Sequence, residues 1–312
     1  MTDDTADRAG LVNEPIADLV TLRDWLRYGV SRFAAAGLVY GHGTESALDE
    51  AAFLILSSLS LPVDQLEPWL DARLTRDERR AIAALIDERI ATRKPAPYLT
   101  GVAYIGPYSF RVDERVIVPR SYIGELLLEG LGTVVADPDG IGRVLDLCTG
   151  SGCLAILAAL AFPSAAVDAA DLSADALAVA ADNVADYGLE DRIRLLRSDL
   201  WQGLDGERYD LIVTNPPYVT SAAVASFPPE YAAEPEMAHH GGEDGLDLVR
   251  AIIDGARRHL GTDGTLVVEI GQGREALEAA YPDIAFLWLD TAGSSGEVFC
   301  LSADQLPGEG GE

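Results

Sequence analysis

Val144-Leu145-Asp146-Leu147-Cys148-Thr149-Gly150-Ser151-Gly152 carries an apolar strand into a tight glycine turn, with an apolar helix expected beyond it. Glycine accepts backbone angles that other residues resist, and its missing side chain lets a ligand approach the chain. In an open α/β sheet, this end of a strand is where ligands bind. The spacing Gly150-x-Gly152-x-x-Ala155, with Asp171 nineteen residues after Gly152, also satisfies the dinucleotide fingerprint. The loop alone leaves a nicotinamide dinucleotide and S-adenosylmethionine both open.

Downstream, strand and helix patterns alternate. Candidate strands are residues 143–148, 166–171, 193–198, 210–215, 265–270, 285–289 and 297–301, most of them separated by amphipathic segments such as 174–187 and 246–260. Parallel strands need crossovers that cover both faces of a sheet. The alternation therefore predicts an α/β fold built on a Rossmann-like, seven-stranded, mostly parallel sheet. The last two strands lack a helical segment between them and are expected to be antiparallel. Upstream, Leu22, Trp25, Leu26 and Val30, then Leu48, Ala51, Ala52 and Leu56, recur at helical spacing, and a third helix is expected after Thr75. A short β-rich stretch follows at 104–118, and a further helix is expected to start near Ser121.

Pro95, Pro97 and Gly101 mark residues 91–101 as the expected hinge. The expected organisation is a small helical domain over 1–94, a linker and β-hairpin over 95–120, the sheet domain over 121–306, and a disordered acidic tail over 307–312.

A chain of 312 residues, 48% of them hydrophobic, suffices for one full core and a smaller satellite. Met1 to Gly10 are polar and acidic, and no apolar run reaches the roughly 18 residues of a membrane span, so the expected compartment is the cytoplasm. Cys148, Cys153 and Cys300 are too few and too odd in number for a disulfide framework. The formal charge of -28 opposes a phosphate backbone as partner and suits a basic protein, although it suits solubility equally.

Asp171 ends the second strand, where its carboxylate is placed either to accept from two ribose hydroxyls or to cap the following helix. Asp199 follows the third strand, as an adenine contact or as an ordinary turn residue. Cys148 and Cys153 flank the turn without other ligands at metal spacing, so core packing is expected and a metal is not. His239, His240, Glu243 and Asp244 lie in a long, proline-bearing segment after residue 220, which reads as a lid and not as a metal site.

Asn215-Pro216-Pro217-Tyr218 closes the fourth strand and is the most specific feature of the chain. The prolines remove backbone donors and fix their dihedrals, leaving the carbonyls of Asn215 and Pro216 as a rigid acceptor array. A carboxamide or an aromatic amino group offers two N–H donors, which the Asn215 side-chain oxygen and the Pro216 carbonyl can meet while Tyr218 supplies a flat face. A carboxamide nitrogen is a poor nucleophile because its lone pair is delocalised. Accepting both of its N–H bonds orients it and raises its electron density as charge develops, so positioning and electrostatics would carry the reaction without a general base.

With these residues the chain resembles the glutamine amide methyltransferases, which modify peptide release factors or a large-subunit ribosomal protein. The resemblance takes in Tyr98-Leu99-Thr100-Gly101, Val112-Asp113-Glu114-Arg115, Val118-Pro119-Arg120, Asp146 to Cys153, the 215–218 tetrad, Glu234-Pro235-Glu236 and Gly245-Leu246-Asp247. It implies a helical domain that engages a protein substrate and a sheet domain that holds S-adenosylmethionine. The implied cofactor residues are Asp146, Thr149, Gly150, Gly152, Asp171, Leu172, Asp199 and Asn215. The implied catalytic residues are Asn215, Pro216 and Tyr218, with Pro217 completing the substrate site.

Cys148, where release-factor enzymes usually have glycine, and Pro119-Arg120-Ser121, where they continue with proline, are closer to the ribosomal-protein branch. So are Leu22-Arg23-Asp24-Trp25-Leu26-Arg27 and Gly41-His42-Gly43-Thr44. The substrate of that branch is the third protein of the large subunit, and a release factor is the alternative. Rival readings are base methylation in nucleic acid, which uses the same tetrad on a flipped base, a nicotinamide oxidoreductase, and a ribosome-assembly binder without turnover.

Overall fold

A computed structural model describes residues 16–307. The opening residues 1–15 and the tail beyond Pro307, read above as polar and as disordered, lie outside the described residues. The chain divides into two compact units: one comprises the described residues up to Gly101 together with Pro228–Ala233, and the other comprises Val102–Phe227 and the rest.

The first unit is helical. Its helices are α1 (Leu22–Ala36), α2 (Ala47–Ser58), α3 (Arg76–Thr92) and the short α4 (Ala96–Thr100). Thr21 with Asp24 and Thr75 with Glu78 form capping boxes that satisfy free N–H groups at the starts of α1 and α3. The apolar stripes meet in a core of Leu22, Trp25, Phe33, Ile55 and Ile86. Arg89, fully buried on α3, donates from Nε to Glu50 Oε1 at 2.7 Å. Residues 96–100, read from the sequence as linker, are helical because Pro95 and Pro97 stand at the helix start, where a missing N–H costs nothing and the fixed φ suits the first turn.

The second unit opens with an antiparallel hairpin, β1 (Val102–Ile105) and β2 (Tyr108–Arg111), followed by α5 (Tyr122–Leu128). The expected β-rich stretch thus ends at Arg111. Beyond it, residues 118–120 are held by side-chain bonds in place of a strand ladder.

The sheet then builds from β3 (Arg143–Leu147), β4 (Ala166–Asp171), β5 (Ile193–Arg197), β6 (Tyr209–Thr214), β7 (Leu260–Glu269), β8 (Leu287–Leu289) and β9 (Val298–Ser302). Its order is β5-β4-β3-β6-β7-β9-β8. The first five are parallel, and β9 runs antiparallel between β7 and β8, as the missing crossover helix predicts. The helices α6 (Cys153–Ala161), α7 (Ala174–Asp186), α8 (Ser221–Val224), α9 (Asp247–Ala256) and α10 (Arg274–Ala280) complete the unit. Two apolar cores form, one containing Val144, Ile156 and Val213, the other Leu145, Ile212 and Ile252. Residues 144 and 145 point to opposite faces, as a strand covered on both sides requires. The chain order reverses between β3 and β6, so their carboxyl ends flank the crevice where such sheets bind ligands.

Candidate active site

The glycine turn is held open by its neighbours. Asp146 is fully buried at the end of β3. Its Oδ2 accepts from Thr149 Oγ1 and from Ala155 N, which fixes the turn and the start of α6. Burial pushes this carboxyl up to about 7, against the pull of those two donors. Asp171 ties the turn to the next strand: Oδ2 accepts from Gly150 N at 2.8 Å and Oδ1 from Ser173 N at 2.8 Å. Burial raises Asp171 as well, opposed by its backbone donors.

The helix cap that competed with the ribose reading belongs to Ser173, whose side chain accepts from Ala176 N. A carboxylate offers about four lone-pair sites, so Asp171 keeps acceptor capacity for a ligand hydroxyl.

Three residues of the turn adopt positive φ: Cys148 at 63°, Gly150 at 56° and Gly152 at 81°. Cys148 thus holds the left-handed conformation that favours glycine. The two glycines serve different ends. A Cβ added at Gly150 would meet nothing within 4 Å, whereas one at Gly152 would lie 3.1 Å from Ala180 Cβ. Gly152 therefore admits α7 to the turn, and Gly150 leaves room on the ligand side. Asn183 on α7, which sequence reasoning missed, donates to Ser151 O at 2.8 Å and accepts from Arg111 N at 2.7 Å. A single buried amide in a helix carries no local signal of such a task.

Above the turn lies a cavity of about 320 Å³, in the range of small-molecule sites. Gly150, Asp171, Leu172, Asp199, Asn215 and Pro217 are on its wall. Of the other expected site residues, Asp146, Thr149 and Gly152 do not line it, and neither do Pro216 and Tyr218, which alternate in sequence with Asn215 and Pro217. Asp199 also accepts from Gln202 Nε2 at 3.3 Å, within the turn after β5. Sequence reasoning did not single out Arg115, Ile117, Leu200, Met237 and Leu248 as lining residues. Pro235 and His240, from the segment read as a lid, form part of the wall. That segment is stitched to the tetrad by Val219 N donating to His239 O and Gly241 N donating to Val219 O, both at 2.9 Å.

The tetrad stands beside the turn because Thr214 Oγ1 donates to Leu147 O at 2.6 Å, joining the ends of β6 and β3. The Asn215 amide donates from Nδ2 to Arg120 O at 3.4 Å, which turns Oδ1 away from that carbonyl. Tyr218 lies against Gly271, where an added Cβ would come within 2.7 Å of the ring. Its hydroxyl donates to Glu269 Oε1 at 3.3 Å, and burial raises the phenol far above its ordinary value. Among the described residues, no group of three or more His, Cys, Asp or Glu side chains is arranged to hold a metal ion.

Residues 124–227 match the methyltransferase small domain. The chain is 54% identical over 298 residues to a ribosomal protein uL3 glutamine methyltransferase of Burkholderia pseudomallei, covering 93% of this chain and 97% of that one. Proteins of the same description in Neisseria meningitidis serogroup B and Bradyrhizobium diazoefficiens are each 52% identical, over 96% and 93% of this chain and 98% and 92% of theirs. The chain belongs to the ribosomal protein uL3 glutamine methyltransferase family. Its methyl donor is accordingly S-adenosylmethionine. The cavity fits that group: the room at Gly150 admits a close approach to the backbone, an acid stands at each of two strand ends, and Leu172, Leu200 and Met237 offer apolar surface.

Proposed function

We propose that the protein transfers a methyl group from S-adenosylmethionine to the side-chain amide nitrogen of a glutamine in ribosomal protein uL3, acting in the cytoplasm. The observation that carries this reading is the tetrad at the end of β6, with Asn215 and Pro217 on the wall of the cavity that also exposes Gly150 and Asp171. Bound S-adenosylmethionine supplies an electrophilic methyl group on a sulfonium centre. Asp171 holds its ribose, Leu172 and Asp199 flank its base, and the open side of Gly150 receives its amino-acid end. Asn215 Oδ1 and the Pro216 carbonyl accept the two amide hydrogens of the glutamine, and Tyr218 packs on its plane. Held so, the nitrogen loses its orientational freedom before reaction and meets acceptors that strengthen as positive charge builds on it. The surplus proton leaves to water.

The helical unit engages the protein substrate in this reading. For the compartment, the support is that all three cysteines are free thiols and that no described helix is long and apolar enough to cross a membrane.

The test supplies labelled S-adenosylmethionine with purified uL3, a release factor, or ribosomal RNA, followed by mass spectrometry of the product. Label on one glutamine of uL3 is expected. Label only on the release factor moves the substrate to the other branch, and label only on RNA rejects a protein substrate.

A further inference from the structure

Arg120, Glu234 and Glu269 have no task in the chemistry above, yet they surround the tetrad. Glu234 and Glu269 are 5% and 1% exposed. Both grip one short segment of chain. Glu234 Oε1 accepts from Val118 N at 3.0 Å and from Arg120 Nη1 at 2.9 Å, and its Oε2 accepts from Arg120 Nη2 at 2.8 Å. His239 Nε2 lies 3.0 Å from that same Oε2. From the other side, Glu269 Oε2 accepts from Ser121 Oγ at 2.6 Å, Tyr122 N at 2.9 Å and Ile123 N at 3.4 Å.

The gripped segment touches both ends of the tetrad. Arg120 O receives the Asn215 amide hydrogen, and the remaining oxygen of Glu269 receives the Tyr218 hydroxyl hydrogen. An amide whose nitrogen is engaged by a carbonyl must point its oxygen elsewhere. Burying two acids is a poor route to stability, because desolvation offsets most of what their partners return. It is an effective route to fixed geometry, since each oxygen is tied to donors of defined direction.

We propose that Glu234 and Glu269 are positioning residues for methyl transfer: clamping Val118–Ile123 between them, they set the Asn215 amide and the Tyr218 ring in the orientation that receives the substrate. This rests on the reading of the tetrad as the amide site. The clamp acts on the turnover step and leaves cofactor affinity alone, because neither acid is on the cavity wall.

The experiment is a mutant cycle with uL3 as substrate, reading kcat, KM, cofactor Kd and melting temperature. Glu269→Ala is expected to lower kcat about tenfold or more with cofactor Kd held within about twofold, and to cost less than about twofold more when placed on Tyr218→Phe. Glu269→Gln, which keeps polar atoms toward Ser121 and Tyr218, should recover most of the rate. An equal loss of kcat in both backgrounds, or no loss, overturns the proposal. Should Glu269→Ala fail to fold, Glu234→Gln is read in its place. A fall of about fivefold in kcat at unchanged cofactor Kd supports the clamp, and an unchanged kcat overturns it. Asn215→Ala is the control: if it retains full activity, the tetrad reading itself fails, whereas loss there with full activity in the acid variants removes only the clamp.

Discussion

At Asp171 one carboxylate both props the glycine turn, through Gly150 N, and faces the cavity. Asp171→Ala should therefore weaken S-adenosylmethionine binding at least about tenfold, on the scale of a hydrogen bond to a charged group. Calorimetry with the cofactor checks this, and unchanged affinity rejects the ribose role. Glu269 gives a pH signature. Burial lifts it from 4.5 to about 7 in the folded protein, so folding holds its proton more tightly than the unfolded chain does. The stability tied to that proton is complete below about pH 4.5 and is lost as pH rises through about 7. Denaturant titrations at about pH 5 and about pH 8 should show the parent losing stability relative to Glu269→Gln, and a constant gap contradicts the buried acid.

The turn and the tetrad were legible in the sequence because each is a run of adjacent residues with unusual backbone demands. The clamp was not. Its bonds join positions 114 and 148 residues apart, Glu234 entered only as part of a motif of the resemblance, and Glu269 in a chain this acidic gives no local cue.

Among the elements, the central parallel strands β3, β4 and β6 stood out because both faces are covered and their sequences are mostly apolar. The missing crossover helix before β9 gave away the antiparallel pair. Helix α4 was hidden by its prolines, which signal a break in a helix interior but a start at its first turn. The β-rich stretch was overextended because Val112, Val116 and Val118 keep strand-like composition and are buried, yet lie outside any strand. Within the helical unit, Arg89 of α3 and Glu50 of α2 form an ion pair shielded from water. Arg89→Ala leaves Glu50 buried and unpaired, and should cost about 3–5 kcal/mol in urea unfolding of that unit. A loss below about 1 kcal/mol would mean that water reaches the pair.

For the whole molecule, 51 acidic against 23 basic side chains generate a strong negative field. A ribosomal protein that binds RNA needs positive charge to do so, and the field should draw it in. Methyl transfer to uL3 should then lose several-fold in kcat/KM between about 50 and about 200 mM salt while kcat holds, since screening acts on encounter and leaves chemistry alone. A salt-independent kcat/KM would assign the charge to solubility.

The most direct test of the amide pocket is single-turnover methylation of uL3 by Asn215→Ala, with cofactor affinity measured on the same preparation. A rate lower by at least about a hundredfold, with cofactor Kd within about threefold of the parent, is the predicted result. Methylation at the parent rate would contradict it.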